Sequence, residues 1–184
     1  MACSLLAVAV LSGFACGGGS EPAAESAAEP AAEPERLSPH ESVSGMVGEA
    51  NITMTYGRPY KKGREIYGGL VPFDAVWRTG ADEATTLETD RDLMLGELHV
   101  PAGKYSVYTI PSTSEWTLIV NKVAEQWGTR YDEAEDLGRA QMSVSEASEM
   151  TEQLTLSIEG GEGASGSLTI VWDTTVATIP IMAH

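Results

Sequence analysis

The sequence predicts an all-β fold, an antiparallel β-sandwich of about nine or ten short strands with a jelly roll as the expected subtype. From residue 37 onward, short segments alternate apolar and polar side chains, which is the pattern of half-buried strands. Clusters of Gly, Pro, Asn and Asp separate these segments and mark turns. No segment keeps a helical period over three turns. A closed barrel is the alternative, and one sequence does not determine the strand order.

The predicted strands follow one another with short connections. The clearest hairpin joins residues 104–110 to 116–121 across a turn that contains Pro111. Residues 122–138 read as irregular, with a short helical turn over 132–137 that Gly138 ends. The glycine-rich segment 160–166 reads as a hairpin loop. The remaining predicted strands are 42–48, 52–56, 85–89, 93–100, 139–144, 153–159, 167–173 and 176–181.

Size, charge and cysteine content limit the classes of protein to consider. A chain of 184 residues and 19.5 kDa has room for one domain, which we place at residues 37–184. The formal net charge of −16 disfavours nucleic acid and anionic membrane surfaces as general partners, because both would be repelled. Cys3 and Cys16 are the two cysteines of the chain, so the predicted domain uses neither disulfides nor zinc sites built from cysteine.

The N-terminal segment predicts export and a membrane anchor. Residues 5–15 form an apolar run of the length of a signal-peptide core, too short to span a bilayer as a helix. Small residues and then Cys16 follow, which resembles a bacterial lipoprotein signal with Cys16 as the lipidated, palmitate-bearing N-terminus. Residues 1–15 are then the signal peptide, and 16–36 a flexible Ala/Glu/Pro linker in the cell envelope. A secreted protein without lipid and an uncleaved anchor are the alternatives.

An irregular, locally basic stretch lies at the centre of the chain. Residues 68–86 mix bulky apolar, glycine and charged residues and fit neither a helical nor a strand period. Such a segment is either a connection that plugs the core or a functional loop. Five of the 11 Lys and Arg residues fall between Gly57 and Ala81: Arg58, Lys61, Lys62, Arg64 and Arg78.

Seven residues in and before this stretch are candidates for ligand binding: His40, Arg58, Arg64, Trp77, Arg78, Asp82 and Glu83. Arg78 with Asp82 and Glu83 can bind an anion and exchange protons, since arginine holds carboxylate or phosphate groups in a bidentate fork. The alternative is an internal salt-bridged network that fixes the loop.

The remaining candidates have equally plain structural alternatives. His40 is a general base or ligand, or a residue that fixes the entry of the chain into the sandwich. Lys61 and Lys62 read as a solvated turn. Tryptophans can form a sugar platform or belong to the core. Trp172 reads as core and Trp127 as the exposed candidate.

The chain resembles a known bacterial family over roughly residues 37–181. The segments that carry the resemblance are Ser38-Pro39-His40, Tyr56-Gly57-Arg58-Pro59, Lys62-Gly63-Arg64, Gly68-Gly69-Leu70-Val71-Pro72, Val76-Trp77-Arg78-Thr79-Gly80-Ala81, Glu83-Ala84-Thr85-Thr86, Pro101-Ala102-Gly103-Lys104-Tyr105 and Trp116-Thr117. They resemble, in order and spacing, the domain of unknown function 2911 family. The resemblance implies export and a lipid anchor but no activity. At Asp82 the family pattern has Asn, which implies a changed ligand preference if this position lines a site.

The sequence favours an envelope-anchored β-sandwich module that binds a small anionic or sugar-like ligand, such as a fragment of the cell wall. A structural envelope lipoprotein without a small ligand comes next. An uncharacterised hydrolase or isomerase that uses His40 with Glu83 or Asp82 comes third, which leaves catalysis uncertain. Motifs for nucleotides, nucleophilic serine and histidine-rich metal sites are absent from the sequence, so we expect neither a cofactor nor a metal.

Overall fold

The computed structural model describes residues 38–184, which form an antiparallel β-structure. The predicted signal peptide, Cys16 and the linker lie outside these residues. Nine strands pair into one sheet, and a 3₁₀ turn at Glu133–Glu135 precedes the eighth. The strands are β1 (His40–Val47), β2 (Ala50–Gly57), β3 (Ala81–Thr89), β4 (Leu93–Leu95), β5 (Leu98–Val100), β6 (Gly103–Ile110), β7 (Glu115–Asn121), β8 (Asp136–Gly160) and β9 (Ser165–Ala183).

The sheet has the order β1-β2-β3-β6-β7-β8-β9-β4-β5. Consecutive strands are neighbours except for the β4–β5 hairpin, which leaves β3 and pairs with β9 through Leu93–Ala183 and Leu95–Ile181. The sheet folds over, since β1 also packs across the end of β8. At this crossing a Cβ on Gly45 would lie 2.7 Å from the carbonyl oxygen of Ile158, so the close approach requires glycine. The predicted all-β, antiparallel, sandwich-like class is confirmed.

One apolar core lies inside the folded sheet and receives side chains from every strand. Trp116 and Trp172 are its largest members, each 1% exposed. In β6 the predicted alternation places Tyr105 and Val107 in this core. The opposite face, with Ser106 and Tyr108, is also buried. The connection between β7 and β8 covers it, and Gln126 Nε2 donates to Ser106 Oγ at 3.1 Å.

Several predicted strands have different limits from those observed. The predicted hairpin of β6 and β7 is confirmed, and the predicted strands 42–48 and 52–56 are found within β1 and β2, which pair with each other. The predicted strand 93–100 is instead two strands, because Gly96 turns the chain with φ 58°. The predicted pairs of strands after residue 138 are instead continuous long strands, β8 and β9. Register shifts near Thr151 interrupt the alternation without ending the pairing, so the sequence pattern breaks where the strand does not.

The long connection from β2 to β3, residues 58–80, closes one end of the core. Ile66 and Val71 are buried in the core, at 1% and 2% exposure, and anchor the connection. Tyr67 and Trp77 pack partly buried beside them. The connection therefore plugs the core with these side chains and also carries the charged residues of the basic stretch. No helix in residues 38–184 has the length and apolar character needed to cross a membrane.

Candidate functional site

The connection is fixed to the sheet by backbone hydrogen bonds. Trp77 and Thr109 exchange two N–H to carbonyl bonds of 2.8 Å, so the end of the connection extends the sheet beside β6. The buried Thr79 hydroxyl donates to Thr109 Oγ1 at 3.1 Å, and Thr85 Oγ1 donates to the Thr79 carbonyl at 2.9 Å. At the other end, Lys61 N–H donates to the Glu152 carbonyl of β8 at 2.7 Å. The frame of the site is therefore held by paired backbone rather than by side chains alone.

Four aromatic rings meet where the connection packs against the strands. Two of them, Tyr67 and Trp77, belong to the connection, and the other two are Trp116 of β7 and Trp172 of β9. Trp77 stacks on Trp172 with ring centroids 6.1 Å apart and an interplanar angle of 17°. Tyr67 meets Trp116 and Trp172 edge-on, at 5.0 Å and 6.5 Å. The Tyr67 hydroxyl is enclosed and has no hydrogen-bond partner within residues 38–184. Burial, with the nearby charge of Asp173, raises the pKa of Tyr67, so the phenol is neutral.

A cavity of about 400 Å³ opens next to these rings. Trp77 and Trp172 contribute to its wall together with the apolar Leu70 and Val71. The charged residues of the lining are Lys62, Arg64, Arg78 and Asp82. The lining thus includes three cationic residues and one acidic residue, in a chain that is acidic as a whole. We call this space the aromatic cavity.

Arg78 and Asp82 have no charged partner at the aromatic cavity. The Nε of Arg78 is fully enclosed and makes no hydrogen bond. Within residues 38–184 no ion pair joins Arg78 to Asp82 or Glu83, and the Asp82 carboxylate accepts no hydrogen bond. No internal salt bridge therefore joins Arg78 to Asp82, whereas Glu83 is paired with His40. Arg78 and Asp82 remain able to bind a ligand.

Gly128 explains how Arg78 and Asp82 are positioned. Its backbone N–H donates to the Asp82 carbonyl at 3.1 Å. A side chain at Gly128 would collide with Cδ of Arg78, so only glycine lets the arginine stem pass. The stem of Arg78 and the backbone of Asp82 therefore lie against the same point of the chain, although their charged ends do not pair.

The basic residues at the rim of the aromatic cavity are held in part by the connection itself. Arg64 donates from Nε to the Lys61 carbonyl at 3.0 Å and from Nη2 to the Tyr60 carbonyl. Lys62 Nζ lies 5.9 Å from the centroid of the Tyr60 ring, as in a cation–π contact. Lys61 forms an ion pair with Asp173. Lys62 and Arg64 are exposed, so they are available to a charged ligand at the mouth.

Arg58, the remaining arginine candidate, lies outside the cavity lining. Its Nε donates to the Leu154 carbonyl at 2.9 Å and its Nη2 to Thr155 Oγ1 at 3.0 Å. Nη1 forms an ion pair with Glu41 at 2.6 Å. These three contacts tie the end of β2 to β1 and β8, which is a structural arrangement.

His40 and Glu83 come together on the other side of β3. His40 Nε2 lies 3.0 Å from Glu83 Oε2, and their side chains are 30% and 41% exposed. They line a second cavity of about 250 Å³ with Tyr56, Gly57 and Thr86. Asp82 lies in the wall of the aromatic cavity instead, so the structure joins His40 to only one of the two carboxylates considered. We call this pair the His40–Glu83 dyad.

Sequence reasoning placed some aromatic residues correctly and missed others. Trp127 is 48% exposed, as predicted, and its backbone bridges Glu83. Trp172 is core, as predicted, but it also forms part of the cavity wall. Tyr67 and Asp173 were not singled out. Tyr67 could have been found from its position beside the apolar Ile66 in a segment that fits neither a helical nor a strand period. No feature of the local sequence points to Asp173.

The chemistry open to the aromatic cavity is binding of an anion beside an apolar or ring-shaped body. Within residues 38–184 no group of three His, Cys, Asp or Glu side chains is arranged to hold a metal ion. Residues 38–181 match the family described as "Protein of unknown function (DUF2911)". No curated protein and no solved structure matches the chain at a significant level.

Proposed function

The chain belongs to the DUF2911 family, whose description names no activity, and we propose from the site itself that it is a β-sandwich module that binds a small anionic or sugar-like ligand. The aromatic cavity is the binding site. The observation that carries the proposal is the Arg78 side chain, which forms no ion pair within residues 38–184 and contributes to a cavity that Lys62 and Arg64 also line.

An enclosed donor without a partner is costly. Leaving a buried polar group unsatisfied costs about 1–3 kcal/mol, and more if the group is charged. An anionic oxygen placed in the cavity offsets part of this cost by forming a charge-assisted hydrogen bond with the terminal nitrogens of the same guanidinium, which is stronger than a neutral one. The same argument does not apply to Arg58, whose guanidinium is bonded on all three nitrogens.

The aromatic wall supports a ligand with a flat or ring-shaped body. Ligand sites are mostly apolar concavities with a few convergent polar groups, and about 300–1,000 Å³ is their usual size. The cavity of about 400 Å³ falls in this range. Trp77 and Trp172 offer apolar surface to a sugar face or a planar ring, while Arg78 fixes the charged end.

A ligand panel measured by thermal shift tests this function. The full chain is heated with sugar phosphates, uronic acids, peptidoglycan fragments and small carboxylates. A compound at about a hundred times its Kd stabilises the native state by about 2.7 kcal/mol, which corresponds to a rise in Tm of roughly 5–10 °C. Arg78→Met should abolish the rise, whereas Arg91→Gln, at an exposed arginine paired with Glu49, should keep it. No rise with any compound overturns the proposal and favours a structural envelope protein.

The His40–Glu83 dyad favours an enzyme, a hydrolase or isomerase, as a second candidate. A carboxylate 3.0 Å from an imidazole nitrogen can orient the ring, and an oriented imidazole can act as a general acid or base. The test is turnover of chromogenic esters, phosphates and glycosides by the full chain, with His40→Gln and Glu83→Gln as variants. Turnover that both variants reduce by about a hundredfold or more supports the enzyme. Absent turnover, or turnover that survives both changes, counts against it.

We also propose attachment of the protein to the bacterial envelope through lipid on Cys16. The apolar run 5–15, followed by small residues and Cys16, supports this proposal. Cells that express the full chain should incorporate labelled palmitate into it, and Cys16→Ser should abolish the label, whereas Cys3→Ser should keep it. Equal labelling of the Cys16→Ser variant would overturn the anchor.

A further inference from the structure

Asp82 gives the aromatic cavity a second polar function that simple anion binding does not use. Among residues 38–184 it is the one acidic residue of the lining, beside three cationic ones. A carboxylate there repels an anionic ligand, so its presence needs another explanation. Its backbone lies at φ 63°, a left-handed conformation that aspartate adopts more readily than most residues.

The opposite charges of Arg78 and Asp82 do not neutralise each other. The stem of Arg78 and the backbone of Asp82 both lie against Gly128, so the two residues are neighbours at their base. Their charged groups nevertheless form no ion pair within 4.0 Å. Attraction between a guanidinium and a carboxylate would favour pairing, yet the two groups lie apart although the backbones of Thr79 and Asp82 are both held by hydrogen bonds. The cavity thus presents a positive and a negative group separately.

We infer that the ligand of the aromatic cavity is a zwitterion, a molecule with a carboxylate for Arg78 and an ammonium group for Asp82, in the manner of an amino acid or a short peptide end. This inference rests on the proposed function, since it specifies the ligand of the same site. The ammonium group donates to the Asp82 carboxylate, and the ligand carboxylate accepts from Arg78. The side chain of the ligand lies against Trp77 and Leu70.

Three molecules with one body and different charges provide the test. Phenylalanine, in both enantiomers, carries the two groups. 3-Phenylpropionate lacks the ammonium, and phenethylamine lacks the carboxylate. Leucine, 4-methylpentanoate and isoamylamine form a second set with a smaller body. Binding of each compound to the full chain is measured by calorimetry at low ionic strength, where charge interactions are least screened.

We expect the zwitterion of at least one set to bind the wild-type protein about tenfold more tightly than its carboxylate analogue, as a charge-assisted hydrogen bond provides. The amine alone should bind weakest, since Lys62, Arg64 and Arg78 repel it. Asp82→Asn should remove the preference by weakening the zwitterion and strengthening the carboxylate. Asparagine suits the left-handed conformation at residue 82, so this variant should fold. Arg78→Met should weaken both carboxylate-bearing compounds.

The outcomes separate the inference from the function on which it rests. If the carboxylates bind as tightly as the zwitterions, and Asp82→Asn changes neither, the zwitterion is wrong while the anion site remains. If no compound with a carboxylate binds the wild-type protein, the zwitterion is overturned, while the anionic or sugar-like function is decided by the thermal-shift panel. Thermal unfolding of each variant, measured alongside, shows whether a lost signal reflects the site or the fold.

Discussion

Asp82 and Glu83 are consecutive residues of β3, yet they lie in two different electrostatic surroundings. Glu83 faces His40 at 3.0 Å, and the half-exposed dyad is explained by its own pairing. Asp82 lines the aromatic cavity with Arg78, and neither residue has a charged partner. Charged groups in a protein interior are normally paired because leaving them unpaired costs free energy. The comparison therefore supports the ligand proposed for the Asp82 side, whereas the Glu83 carboxylate is paired within the fold.

The largest expected effect on stability concerns Trp172, the buried tryptophan in the wall of the aromatic cavity. Trp172→Ala should reduce the free energy of unfolding by about 3–5 kcal/mol, because a buried indole leaves a cavity that its neighbours cannot fill. Trp127→Ala, at a tryptophan that is 48% exposed, should change it by no more than about 0.5 kcal/mol. Urea denaturation of both variants provides the measurement. Similar losses of unfolding free energy for the two variants would show that Trp172 is not packed as the structure places it.

A second prediction contrasts a paired arginine with an unpaired one. Arg58→Met and Arg78→Met both keep an aliphatic stem and remove the guanidinium. The first should lower the free energy of unfolding by about 1–3 kcal/mol, since it leaves part-buried acceptors at Leu154 and Thr155 without a donor. The second should leave stability unchanged or raise it, because it removes an enclosed donor that has no partner.

Denaturation in the absence of ligand measures this difference. A large loss for Arg78→Met would indicate a structural role for Arg78 and remove the main support for the binding site. If instead Arg58→Met were the neutral change, the contacts of Arg58 would contribute nothing measurable, and the contrast between a paired and an unpaired arginine would not hold.

These two arginines also show how far the sequence could predict the site. Both stand in the same basic stretch, and nothing local distinguishes them. Arg58 bonds to Glu41 of β1 and to Leu154 and Thr155 of β8, and the last two lie 96 and 97 residues further along the chain. Its pairing therefore depends on the strand order. Lys61 reaches Asp173 of β9 for the same reason. Short-range patterns predict strands and turns, whereas the pairing of charges is decided by contacts between distant segments.

The fold was more predictable because its signals are local. Alternation and turn residues were sufficient for the class and for the hairpin of β6 and β7. They failed in β8, where register shifts around Thr151 break the alternation while the ladder continues. They also gave no indication that the connection of residues 122–135 would cover the outer face of β6, which buries Ser106 and Tyr108. Burial of both faces of a strand by an irregular segment leaves no period in the sequence.

A third prediction separates the position of Arg78 from its charge. Gly128→Ala should displace the arginine stem, because a Cβ there collides with Cδ of Arg78. Affinity for a carboxylate ligand should fall about tenfold while all charges of the site are retained, since a misplaced donor loses about the value of one hydrogen bond. Gly63→Ala, at a glycine of the same region with open space around it, is the control, although its φ of 69° adds some backbone strain. Unchanged affinity in Gly128→Ala would show that the stem can move without consequence.

The smallest expected effect concerns Asp90, a carboxylate that is paired within the fold, and the pH dependence of stability that its pairing causes. The side-chain amide of Asn51, followed by its backbone N–H, donates to the Asp90 carboxylate and lowers the pKa of Asp90. The folded state thus favours the ionised form. The resulting stabilisation is complete above the unfolded pKa of about 3.9 and is lost as the pH falls through the lower folded value. Asp90→Asn should therefore be less stable than wild type near pH 6, and the difference should shrink towards pH 2.

Urea denaturation of wild type and Asp90→Asn across this range measures the difference, with Glu97→Gln at an exposed carboxylate as the charge-matched control. A difference for Asp90→Asn that stays constant down to pH 2 would contradict the role of the hydrogen bonds from Asn51.

Asp82 is the informative third carboxylate, since it accepts no hydrogen bond within residues 38–184. We expect Asp82→Asn to differ from Asp90→Asn in its dependence on a ligand. Its effect should emerge only when an ammonium group occupies the aromatic cavity, because the carboxylate that the fold leaves unpaired is then paired by the ligand.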